Sequence, residues 1–252
     1  MPLPPVNLSW FADSLAEVVE EISDAWVAAD RPGDEEDPTP ALLSEALQQL
    51  TDVLRTVEWE AGDPQIADTG TTEGVDIGEL GGYGQEMLTQ LYQIAHELAL
   101  PEVPEQLEQL ALSLALWVSR QGGELRSIDL VVNGLARIAN ATTDTFELER
   151  LFHTFGEILE ALLMTDPGHP PPESAQEPWR LLLLNRAIVA TRAHLPRLME
   201  RAFHDIAERL PEVAPDFFNE GMEQIRVQGY PKPVSEVIER YHRLCTSSRR
   251  LH

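Results

Sequence analysis

Histidine and carboxylate pairs are the first residues in this chain whose types and spacing could do chemistry. Glu239 and His242 stand three apart. On a helix that spacing puts a carboxylate and an imidazole on one face, as in carboxylate-bridged di-iron bundles. Such centres need a second copy of the motif and two further glutamates, yet the other pairs, Glu149/His153 and Glu200/His204, are spaced by four. A Glu-rich helical chain contains pairs like these by chance, so the sequence predicts no metal ion and no cofactor. Cys245 is the single cysteine, which excludes an internal disulfide framework and a thiolate cluster. Beside Arg240, Arg243, Arg249 and Arg250 its thiol could have a lowered pKa; the plainer reading is an incidental thiol on a C-terminal helix. Gly78, Gly81, Gly82 and Gly84 lack the Gly-Lys-Ser/Thr of a phosphate loop, and no Gly-x-Ser-x-Gly is present. No residue is predicted to be catalytic.

Charge is more informative than any of these motifs. The 252 residues carry a net charge of −25. A basic footprint for phosphates is missing, so direct nucleic-acid binding is not expected, and neither is adhesion to anionic membranes. Residues 1–119 hold 24 acids against Arg31 and Arg55 alone, whereas residues 180–252 hold 12 bases against nine acids. An acidic arm for a basic partner would look like this, and so would a solvated acidic surface that keeps a protein in solution. The N-terminus lacks the basic and apolar regions of a secretory signal, and the run Leu181–Leu184 is far too short for a membrane span. A cytoplasmic location is expected.

The elements that must position any site are helices. Apolar residues recur at helical spacing almost throughout, and strand alternation is nearly missing. Helices are predicted over 9–30, from Pro40 with Thr39 as N-cap, and over 77–100, 104–121, 127–139 and 143–164. Four more are predicted over 178–193, 196–210, 214–228 and 232–245, with Pro178 starting the first of them. Gly78 to Gly84 should weaken the first turns of the third helix, and Gly122-Gly123 should stop the fourth. The expected organisation is an acidic hairpin and linker over 1–76, hairpins over 77–165, a Pro-rich linker over 166–177, and hairpins over 178–252. Trp26, Trp117 and Trp179 lie on apolar faces and should anchor cores, whereas Trp59 precedes an acidic linker and would mark a contact if exposed.

Phe152, Phe155, Gly156 and Leu159 set large residues around a small one on one helix, the first-helix pattern of tetratricopeptide repeats, and residues 105–245 resemble a degenerate array of that family. Phe217, Phe218 and Gly221 fit it in part, with Glu220 in place of a large residue and Gln224 in place of an aromatic. Phe203, Ile206 and Pro211 suit a second helix and its closing proline, Ala187 falls at a small position, and Gly229-Tyr230 is similar to a shortened interhelical turn. The resemblance implies an all-α fold of antiparallel helical hairpins stacked as an α-solenoid; the alternative is a generic multi-helix bundle. It further implies a groove lined by Arg150, His153, Glu157 and Glu160 in one unit and by Arg192 and Arg226 in later ones. With Asn185, Arg186 and Asn219, those two arginines would grip a carboxylate or an acidic peptide; pairing with the acidic half of the chain would consume them instead.

The leading expectation is a non-enzymatic scaffold or adaptor for a protein or peptide. The alternative is an acidic decoy or immunity-type protein covering a basic surface, and a weaker one is an enzyme with an interhelical pocket.

Overall fold

The computed structural model describes residues 2–29, 38–62, 76–162 and 173–248. Residues 31–37 and 63–75 of the expected hairpin and linker over 1–76, the expected 166–177 linker up to 172, and Arg249 and Arg250 lie outside the described residues.

Ten helices and no strand are found among the described residues. They are α1 (Leu8–Ala28), α2 (Pro40–Gly62), α3 (Ile77–Glu97), α4 (Val103–Arg120) and α5 (Asp129–Ala141), followed by α6 (Thr145–Leu162), α7 (Glu173–Arg192), α8 (Pro196–Arg209), α9 (Ala214–Gln228) and α10 (Lys232–Ser248). Their starts are chemically marked. Asn7 Oδ1 accepts from the amides of Ser9 and Trp10, Thr39 Oγ1 from Leu42, Asp76 Oδ1 from Glu79, and Asp144 Oδ1 from Glu147. Each satisfies a donor that the first turn leaves without a partner. At the other end, Gly122 (φ +77°) and Gly229 (φ +65°) take the left-handed conformation that terminates α4 and α9.

Two starts depart from expectation. Helix α1 opens at Leu8, one residue before the expected start at 9, because Asn7 is its cap. Helix α7 opens at Glu173, so Pro178 lies inside it and not at its first turn. Proline has no N–H to give, and α7 forgoes one internal hydrogen bond there.

Two compact units divide the chain, Pro2–Gly134 and Leu135–His252, so the division falls inside α5 rather than at residues 166–177. Helices α6 and α7, on either side of that expected linker, pack on each other within one unit.

In the first unit α1 packs on α2 and α4, and α3 on α4. The closeness of α3 to α4 explains its glycines. A Cβ on Gly81 would stand 2.6 Å from Val118 Cγ2, one on Gly84 2.6 Å from Leu114 Cδ2, and one on Gly78 2.8 Å from the carbonyl oxygen of Glu124. Their spacing of three keeps all three on one face, which meets α4 at Gly81 and Gly84 and the segment after α4 at Gly78. Buried Gln85 donates from Nε2 to the Ala111 carbonyl at 2.8 Å across the same contact. Trp117 is buried and donates to Glu58 at 3.1 Å. In the second unit α6 packs on α7, α7 on α8, α9 on α10, and α8 on α10.

Candidate functional site

Helix α7 places Leu184, Ile188, Thr191 and Arg192 on one face, and α9 does the same with Phe217, Glu220, Gly221 and Gln224. These faces are two walls of a cleft of about 440 Å³ that also includes Phe203 of α8, Phe218, Tyr230 and Ile238 of α10. Helix α9 closes on α10 because Gly221 has no side chain: a Cβ there would stand 3.1 Å from Ile238 Cγ2. No comparable backbone approach joins α7 to α9, and the gap between them is the cleft.

The interior of the cleft is aromatic. Phe203 lies edge-on to Phe218 (5.1 Å between centroids) and to Phe217 (6.0 Å), and Phe218 stacks on Tyr241 at 5.6 Å. Such pairs fix ring orientation and hold an apolar surface in place. Ile188 remains 44% exposed.

Two of the arginines expected to grip a ligand are held internally. Arg186 is buried, donates to Asp205 Oδ2 at 2.8 Å, and lies with its guanidinium carbon 4.2 Å from the Phe152 ring centroid. Burial lowers its pKa, and the Asp205 carboxylate opposes that shift. Gly156 sits against this guanidinium, since a Cβ there would be 3.4 Å from its Nη2. The Phe152–Gly156 pattern therefore makes room for a buried cation. Arg192 lines the cleft, but its Nη1 and Nη2 donate to the carbonyls of Ala139 and Thr142 at the end of α5. It serves as a C-terminal cap there.

The remaining expected residues are scattered. Exposed Arg150 donates to Glu147 at 3.0 Å. Exposed His153 lies edge-on to Phe152 at 5.6 Å. Glu157 and Asn185 are half-buried, and Glu160 is exposed. Asn219 Oδ1 is 2.8 Å from His242 Nε2, a link between α9 and α10. Arg226 is exposed on α9, but six residues beyond Glu220 the helix has turned it about 120° away. Of the nine residues expected to line a groove or grip a ligand, only Arg192 reaches the cleft.

Glu220 and Gln224 were legible in advance, but as departures from the repeat pattern. The resemblance expects a large and an aromatic residue at these positions; the two polar side chains found there line the cleft.

Other candidates resolve more simply. Burial pushes the Cys245 thiol pKa up, opposite to the lowering that the basic tail suggested. Among the described residues no three His, Cys, Asp or Glu side chains converge to hold a metal ion. Trp117 and Trp179 are buried and Trp26 is half-buried, while Trp59 is 65% exposed. On α1, Asp13, Glu17, Glu20, Glu21 and Asp24 are exposed along one stripe. No described helix is long and apolar enough to cross a membrane. No family model, curated protein or solved structure matches the chain.

Proposed function

We propose that the chain is a non-enzymatic scaffold whose hairpins over residues 135–252 stack in the tetratricopeptide-like manner and hold a protein or peptide segment in the cleft between α7 and α9. The cleft carries this reading. In that register α7 and α9 are the first helices of successive hairpins, and first helices are the ones the family turns toward its ligand. An aromatic interior with polar groups among its lining is also the usual composition of a recognition pocket.

Peptides selected on the full chain from a random display library test it. Selected peptides should compete with one another and lose binding to Ile188→Asp, which puts a carboxylate on a partly exposed wall position without disturbing the fold seen by circular dichroism. Peptides that bind Ile188→Asp as well as the parent protein would remove the cleft as the seat.

The second reading, an acidic cover for a basic partner, is supported by the α1 stripe. Its five carboxylates fall within about 100° of arc and have no ion-pair partner among the described residues. A partner held there would be released by moderate salt and by neutralising all five to Asn or Gln.

A further inference from the structure

We infer that the α7/α9 cleft selects a segment presenting an apolar side chain next to a lysine or arginine, and not the acidic peptide that its arginines suggested. The inference rests on the reading of that cleft as the binding seat. Two facts about charge carry it. Arg192 is the cation of the lining, and two of its guanidinium nitrogens are turned onto the Ala139 and Thr142 carbonyls, where the negative end of α5 offsets its charge. A ligand carboxylate would have to draw those donors away from backbone acceptors. Glu220 is the carboxylate of the lining; it is exposed and has no partner among the described residues.

Nearby cations do not alter that balance. Arg186 is paired with Asp205, and Arg226 is turned about 120° around α9 from Glu220. The uncompensated charge at the cleft is therefore negative. The rest of the lining (Leu184, Ile188, Phe203, Phe217, Phe218 and Ile238) accepts an aromatic or branched apolar body. A ligand with a cation beside such a body satisfies both, because the body displaces water from the rings while the ammonium or guanidinium meets Glu220.

Two small probes with the same apolar body and opposite charge test this on the full chain: 3-phenylpropylammonium and 3-phenylpropanoate. Binding is read from amide chemical shifts at Ile188, Gly221 and Gln224. The ammonium should bind roughly three- to fivefold tighter, as a partly exposed ion pair supplies. Glu220→Gln, an exposed substitution on α9, should reduce that ratio to about one. Equal binding, or tighter binding of the carboxylate, would overturn the inference while leaving the cleft as a seat. If neither probe shifts the cleft amides, the seat itself falls and the inference with it.

Discussion

Alanine substitutions at the glycines of α3 should separate by sign. In an exposed helix interior, Gly→Ala stabilises by about 1 kcal/mol because it removes backbone freedom from the unfolded chain. Gly82 meets that condition, since a Cβ there would touch nothing within 4 Å. At Gly81 the same methyl would lie 2.6 Å from Val118 Cγ2 and 3.2 Å from its Cγ1. A β-branched side chain on a helix has one strongly preferred rotamer and cannot swing aside. Overpacking of that kind costs about 1–3 kcal/mol, so Gly81→Ala should end up destabilised by about 1 kcal/mol after its helix gain. Gly84 faces the far ends of Leu114 and Leu50, which can rotate, and its substitution should fall between the two. Gly78 faces the Glu124 carbonyl oxygen at 2.8 Å and its amide nitrogen at 2.9 Å. No rotamer relieves that contact, and Gly78→Ala should cost about 3 kcal/mol, near the upper end of overpacking. Urea unfolding followed by far-UV circular dichroism, with hydrogen exchange of α3 and α4 amides, gives the order directly. The reasoning is refuted if Gly81→Ala stabilises as much as Gly82→Ala, because α3 would then not lie against α4 through this face.

Two more predictions concern the second unit. Asp205→Ala leaves the Arg186 guanidinium buried without its carboxylate and should cost about 2–4 kcal/mol, somewhat below a fully buried pair because the Asp205 side chain is 28% exposed. Arg186→Met in that background should recover part of the loss, which a double-mutant cycle in urea measures. For Cys245, burial raises the thiol pKa, so the reactive thiolate is scarcer at pH 8 than on an unperturbed thiol. Alkylation by iodoacetamide at pH 8 should be slower than for the urea-unfolded chain. The linkage has a definite sign: the stability associated with this thiol is present below its unfolded pKa and is lost as pH rises through the folded value. Alkylation as fast in the folded as in the unfolded chain would show that the thiol is not protected.

The helices were legible in the sequence because their signals are local. Thr39-Pro40 opens α2 as a cap and first-turn proline should, and Gly122 and Gly229 end α4 and α9 where a left-handed residue is wanted. Packing was less legible, because the same residue has opposite meanings in and out of contact. Gly81 and Gly82 read alike as weak helix formers, and only the presence of Val118 against the first separates them. Pro178 misled for a related reason: α7 begins a turn and a half upstream of it, and a single missing hydrogen bond did not prevent that.

The arginines show the limit most clearly. Charge asymmetry raised internal neutralisation by the acidic first 119 residues, whereas the acceptors found lie nearby: Asp205 on the neighbouring helix for Arg186, and the carbonyls of Ala139 and Thr142 at the end of α5 for Arg192. Helix ends and a single carboxylate on a neighbouring helix do not register in a net charge. Once those two cations are assigned, the unpaired charge at the cleft belongs to Glu220, a residue notable in the sequence only for failing a repeat pattern. Glu220 and Gln224 give this wall of the cleft polar groups beside its aromatic and aliphatic lining. At Glu220 the departure from the resemblance and the candidate for recognition are the same side chain.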